Sequence, residues 1–167
     1  MMVGAPAAQL VLLRRLVDLD LMGTVSVGQV GVDDPLLLWA GGPRSTSDVS
    51  TYDALWIRLV DLPEALQDRS WSRPCDVVAD VEDRTAPWNH GVWRIHADAA
   101  GEATVERSSA DADLALPVSA LGAAYLGWGN LLTQHRAGLL SESRPGAVSE
   151  LSQAMRTPAA PSAAMHF

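Results

Sequence analysis

Lysine is absent from this sequence: all 12 basic residues are arginine, set against 20 acidic residues for a formal net charge of -8. The arginines form no cluster, so the chain lacks the basic footprint that nucleic-acid binding requires. Cysteine occurs once, at Cys75, which excludes an internal disulfide or a cysteine-based zinc site and fits a reducing compartment. No apolar run approaches the roughly 18 residues of a membrane span. The apolar stretch from Ala7 to Leu13 is followed by Arg14 and Arg15, whereas a secretory signal carries its positive charge in front. A soluble, cytoplasmic protein is expected, with no nucleic acid and no membrane among its partners. Phenylalanine is scarce too: six Trp and two Tyr accompany a single Phe, the last residue, Phe167.

What is present is apolar material. Hydrophobic residues make up 48% of 167, enough for one packed domain or two small ones sharing a chain. Residues 10–19 read as an amphipathic helix, and Leu21 to Val27 alternates as a strand does. Asp33-Asp34-Pro35 opens a short helix through Trp39, with Asp34 as the cap before proline. Residues 54–61 read as a buried strand, and a helix begins at Leu62-Pro63. After Arg69 the texture changes to four short strand-like runs, Asp76–Glu82, Gly91–His96, Glu102–Arg107 and Asp113–Val118, separated by turn formers. That spacing predicts an antiparallel meander. Helices capped by Ser119 and Asn130 follow, then a last helix opened by Pro145 and a Pro/Ala tail from Thr157. Residues 67–167 are α+β by pattern, whereas residues 1–66 hold too little to close a sheet.

The run from Tyr52 to Pro63, with Ala65-Leu66, resembles a segment of the Eis-type (enhanced intracellular survival) GNAT acetyltransferases. The likeness continues through Pro74 to Val78, Pro87-Trp88-Asn89, Gly91 to Arg94, Ala112 to Leu116, Leu121 to Gly127 and Arg144 to Ala147. Leu19-Asp20-Leu21 and Asp33 to Leu36 fit the family's middle region. The resemblance implies that residues 1–66 are the C-terminal part of a second GNAT-like α/β domain. It implies that residues 67–167 are a domain similar to sterol carrier protein 2, an antiparallel sheet with helices and a C-terminal tail. The parent family uses acetyl-CoA, through a loop of Arg or Gln, two residues, Gly, one residue, then Gly or Ala at a helix N-terminus. Here Gln29-Val30-Gly31 has its glycine one place early and no other stretch fits, so no acetyl-CoA is expected on this chain alone. The chain reads as part of a longer enzyme or the product of a truncated gene. Its expected partners are the missing N-terminal GNAT region or further subunits of a homo-oligomer.

The resemblance also names a site. In the family the chain's terminal carboxylate enters the active site as general base, which here is the carboxylate of Phe167, with His166 beside it to orient it or bind substrate. An α-carboxyl titrates at about 3.5 in water, and burial in an apolar cleft raises it. The tail departs from the family's pattern at residues 162–164, Ser-Ala-Ala, where an aromatic usually stands. Other candidates have plainer explanations. His90, His96 and His135 share no metal-ligand spacing, Asp33 and Asp34 read as caps, and no Gly-x-Ser-x-Gly is present. The tryptophans read as core rather than as the lining of a ligand cavity. Glu102, Glu106, Asp111 and Asp113 read as a solvated face, or as an acidic wall for polyamine substrates. The leading expectation is the substrate-side and structural region of an Eis-like N-acetyltransferase of amines such as aminoglycosides or lysine side chains, inactive alone. The alternatives are a non-catalytic sterol-carrier-like module that binds an apolar ligand, and a scaffold whose two GNAT-like strands dock on another subunit.

Overall fold

The computed structural model describes residues 6–21, 23–42, 44–46, 48–53 and 55–162. The chain divides into two compact units, one of Met1–Leu55 with Ala160–Phe167 and one of Trp56–Ala159.

The first unit holds helix α1 (Pro6–Val17) and the single-turn α2 (Leu36–Trp39). Of the two aspartates read as caps, Asp34 bonds the first turn of α2 although Pro35 holds the N-cap position, and Asp33 bonds elsewhere. Asp34 Oδ1 accepts the Leu36 N–H at 2.8 Å, and Gln9 Nε2 reaches both Asp34 oxygens at 3.2 Å, tying α1 to the turn. Asp33 Oδ2 accepts the N–H of Ala160 at 2.7 Å, which brings the C-terminal segment back into this unit. Neither strand expected in the N-terminal part forms: residues 23–30 and 55–59 join no ladder. Alternation alone does not make a strand, which exists only beside a second edge that completes its hydrogen bonds.

The second unit is a mixed α+β fold. Its elements are α3 (Leu62–Asp68), β1 (Cys75–Glu82), β2 (Gly91–Ala97), β3 (Ala103–Arg107), β4 (Leu114–Pro117), α4 (Val118–Ala124), α5 (Leu131–Arg136), β5 (Ser141–Glu142) and α6 (Ala147–Ala154). The four strands read from the sequence are all present. The sheet order is β3-β2-β1-β4-β5, and β4 runs parallel to β1, so the expected all-antiparallel meander is corrected at one seam. The link 108–113 carries the chain past β2 and β1 before it pairs again, Ala79 opposite Leu114. β5, two residues long, gave no period to read.

Alternation decides the faces. Cys75, Val77, Ala79 and Val81 of β1, Trp93, Ile95 and Ala97 of β2, Val105 of β3, and Leu114 and Leu116 of β4 point into one core. Leu62 and Leu66 of α3, Leu121 of α4, Leu131 of α5, and Val148 and Leu151 of α6 fill it from one side. α4 starts straight out of β4, with no side-chain cap from Ser119, whereas Asn130 Oδ1 caps α5 by accepting the N–H groups of Leu132 and Thr133. Gly122 permits a close approach, since a Cβ there would stand 2.7 Å from the Ile57 carbonyl oxygen.

The segment entering this unit is fastened by two buried polar side chains. Asn89 Oδ1 accepts the Leu62 N–H at 2.9 Å, and its Nδ2 donates to the carbonyls of Leu59 and Val60 and to Asp83 Oδ2. The fully buried Asp83 carboxylate accepts both contacts of Arg58 Nη2, at 2.6 and 2.8 Å, and the N–H groups of Thr85 and Ala86. Burial works against its ionisation, but the donors of Ala86, Arg58, Asn89 and Thr85 outweigh it and hold the carboxyl at about 2, below the usual 3.8. The folded carboxyl titrates lower than the unfolded one, so its stabilisation is complete above about pH 4 and fades as the pH falls towards 2. Asp83→Asn is expected to lower the unfolding free energy by about 2–3 kcal/mol at pH 7 and to remove part of the acid sensitivity between pH 4 and 2. Denaturant titrations across that range check both; equal pH dependence in wild type and variant contradicts this account of Asp83.

Candidate functional site

α3 is short but well specified. Asp61 caps it by accepting the Glu64 N–H at 3.0 Å, and Pro63 sits in the first turn, where a missing N–H costs nothing. This places Asp61, Glu64 and Asp68 along one exposed face at spacings of three and four. They border an open indentation of about 350 Å³, closed on another side by Ile57, Leu59 and the half-buried Tyr125. Its Arg58 is already engaged by Asp83. The lining thus offers carboxylates and one phenol around an apolar floor, a surface that favours a cationic solute, and contains neither thiol nor imidazole.

On the outer face of the sheet a second indentation, of about 230 Å³, lies between Arg94, His96, Thr104 and Glu106. Arg94 there is held bidentate by Asp76 at 2.8 and 2.6 Å, which lowers the Asp76 carboxyl and raises the arginine. Next to it Arg144 bridges Asp113 at 2.8 Å and Glu150 at 3.0 Å. Asp113 also accepts the Val78 N–H, so the residue read as solvated surface is instead a half-buried clip between β1 and the start of β4. Burial opposes its ionisation, yet Arg144 and Val78 hold it below the usual range.

Three arginines lie over tryptophan rings, one of them Arg156, 5.9 Å from the Trp128 centroid. Arg107 lies 3.9 Å from the Trp93 ring centroid while it donates to the carbonyls of His90 and Trp88. Arg69 lies between Trp71 and Tyr125, at 5.0 and 5.9 Å, and donates through Nη2 to the Met155 carbonyl. Its Nη1 is buried without a hydrogen-bond partner among the described residues, and burial lowers its pKa. The core reading of the tryptophans holds for Trp71 and Trp93, whereas Trp56, Trp88 and Trp128 are exposed.

Phe167 and His166 lie outside the described residues. The other histidines have separate local roles. His90 Nδ1 accepts the Asp83 N–H, His96 stands 3.9 Å from Asp76, and His135 contacts the Leu140 carbonyl. Among the described residues no group of three or more His, Cys, Asp or Glu is placed to hold a metal ion. No helix there is long and apolar enough to cross a membrane. The near-match Gln29-Val30-Gly31 does not open a helix: α2 starts at Leu36 and is four residues long. These residues do not form an acetyl-CoA phosphate cradle.

Residues 62–164, α3 to the tail, match the sterol carrier protein domain. The chain belongs to that family. Similarity to longer relatives extends over the first unit as well. An "Uncharacterized N-acetyltransferase" of Streptomyces coelicolor is 43% identical over 156 residues, 93% of this chain and 37% of the relative. One from Streptomyces griseus is 32% identical over 152 residues, 91% of this chain and 36% of the relative. Among solved structures, Eis1 from Mycobacterium abscessus is similar with a TM-score of 0.85 and 31% identity, over 99% of this chain and 41% of that one. A GCN5-related N-acetyltransferase from Kribbella flavida is similar at a TM-score of 0.55 and 26% identity, over 62% of this chain and 26% of that one. The chain thus spans well under half the length of these relatives.

Cys75, on β1 of the sterol carrier domain, is the one thiol in the chain. It is buried opposite Ala97, and burial pushes its pKa up to about 11, reinforced by Glu150 and Asp76 against the Ala97 hydrogen bond and Arg69. Alkylation by iodoacetamide at pH 7.5 is expected to run about 100-fold slower in the folded chain than in denaturant. Comparable rates would show an accessible thiolate and contradict this account of Cys75.

Proposed function

We propose that this chain is the C-terminal, substrate-side portion of an Eis-like GNAT N-acetyltransferase that acetylates amines such as those of aminoglycosides or lysine side chains. The observation that carries this reading is the reach of the similarity to Eis1, which covers 99% of the chain and so extends beyond the sterol carrier domain at 62–164. The relatives named N-acetyltransferases likewise match over more than nine-tenths of the chain. In this reading residues 1–66 are the end of a second GNAT-like domain and acetyl-CoA is held by a portion outside these 167 residues. The misfit of Gln29-Val30-Gly31 to a phosphate cradle supports that division. The net charge of -8 suits a cationic acceptor.

The residue assigned to chemistry is Phe167, whose carboxylate takes a proton from the acceptor amine, with His166 orienting it or contacting substrate. Enclosure of that carboxylate in a cleft raises its basicity by desolvation, which a general base at neutral pH needs.

The test is release of CoA thiol from acetyl-CoA with an aminoglycoside acceptor. The 167-residue chain alone is expected to be inactive. A chimera that joins it to the portion of the Streptomyces coelicolor relative it does not match is expected to turn over, and deletion of Phe167 to lower kcat about 100-fold or more. Turnover by the chain alone overturns the assignment of acetyl-CoA to another portion. A folded but inactive chimera overturns the acetyltransferase reading, and an active one indifferent to the deletion overturns the role of Phe167.

A further inference from the structure

Asp33 and Asp34 stand side by side in one turn and hold different parts of the chain. The turn closes with the Asp34 N–H on the Gly31 carbonyl at 3.0 Å, and the Asp34 side chain serves α1 and α2 through Gln9 and Leu36. Asp33 Oδ2 instead accepts the N–H of Ala160 at 2.7 Å, across 127 positions. Next to that bond the two segments pass closely. A Cβ on Gly31 would stand 3.2 Å from Asp33 Oδ1 and 3.9 Å from the Ser162 Cβ. Ala160 is half-buried there, whereas Ala159 and Pro161 on either side of it are exposed. Residues 160–162 are thus held by a carboxylate at one point and admitted by a glycine at another. A carboxylate bonded to a main-chain N–H is charge-assisted and indifferent to the donor's side chain, so it fixes the path of the tail rather than its sequence.

Chain length gives the consequence. Thr157, whose N–H donates to the Gly127 carbonyl at 3.2 Å, stands ten residues before Phe167, and Ser162 stands five before it. The concentration of a chain end at a fixed point falls roughly as the −3/2 power of its tether. Moving the last fixed point from Thr157 to Ser162 halves that tether and concentrates the terminal carboxylate about threefold wherever it acts. We infer that Asp33 is a positioning residue: its carboxylate holds the main chain at Ala160 and sets the path by which the Phe167 carboxylate reaches the acceptor amine. Asp33 takes no proton in this scheme and acts only through the tail. The inference rests on the reading of Phe167 as the base, and it names the residue that delivers that base.

Two variants separate the bond from the charge. Asp33→Asn keeps an oxygen that accepts from Ala160, and Asp33→Ala removes it. In the 167-residue chain, amide exchange at Ala160 read by NMR is expected to quicken about tenfold in Asp33→Ala and less than about threefold in Asp33→Asn, with residues 75–97 unchanged. In the chimera, Asp33→Ala is expected to lower kcat about three- to tenfold at unchanged KM for acetyl-CoA, and Asp33→Asn to retain most of the rate. That loss is expected to vanish once Phe167 is deleted, whereas a fall in folded enzyme would lower both backgrounds alike. Unchanged exchange at Ala160 in Asp33→Ala overturns the hold on the tail. A loss that persists without Phe167, or that is equal in Asp33→Asn, overturns the positioning role. A chimera indifferent to deletion of Phe167 removes the base and its delivery together, and exchange at Ala160 then decides the hold on the tail by itself.

Discussion

Asn89 commits its whole side chain to other segments, and the second unit depends on that commitment. Its amide meets Leu62, Leu59 and Val60 on one side and Asp83 on the other, while its own carbonyl accepts the Trp93 indole. Residues 58–62 are thereby fixed to the β1–β2 loop, which in turn sets α3. With α3 set, Leu62 and Leu66 enter the core, the Leu66 carbonyl receives the Trp71 indole, and Gln67 reaches the Val105 N–H on the outer strand. Each bond is worth about a kcal/mol when intact, but leaving its buried partner unsatisfied costs more. The polar centre therefore acts through what its loss would strand rather than through attraction alone.

A similar logic holds the other end of the sheet. β4 enters between β1 and β5 at Asp113, whose N–H goes to the Val78 carbonyl while its carboxylate takes the Val78 N–H. The Asp113 carbonyl accepts from Ser143 and Arg144, so the strand that enters and the strand that returns meet at one residue. Arg144 then reaches Glu150 on α6, and Glu150 takes the Asp76 N–H at the start of β1. Parallel pairing of β1 with β4 needs such a clip, because no hairpin fixes its register.

The parts of the fold that were legible in the sequence are those whose signal is local. Alternation in Cys75–Glu82 and Gly91–Ala97, turn formers between them, and Asp61 and Asn130 as caps all act within a few residues. The parallel β1–β4 pairing was not legible, since Ala79 and Leu114 meet through a decision made by neither sequence neighbourhood. Asp113 was misread for the same reason: its partners Val78 and Arg144 are 35 and 31 positions away. The motif Pro87-Trp88-Asn89 carries in sequence only a family likeness; its physical content, a buried amide bridging two segments, depends on partners 27 to 30 positions away. The strands expected at 21–27 and 54–61 show the converse. Their local pattern is real, but a ladder is a property of two edges and the described residues supply one.

The direction of the carboxyl shifts bears on where chemistry can reside. Asp76, Asp83, Asp113 and Glu142 are all held below their ordinary range by arginines or backbone N–H groups, so each is a weaker base than a free carboxylate. Those groups are structural, since a base poised for neutral pH is shifted the other way. On the proposed reading the base is instead the terminal carboxylate of Phe167. The chain leaves the second unit after Ala159, and Asp33 of the first unit holds the N–H of Ala160, seven residues before Phe167. At Ala160 the segment is thus tied to the first unit.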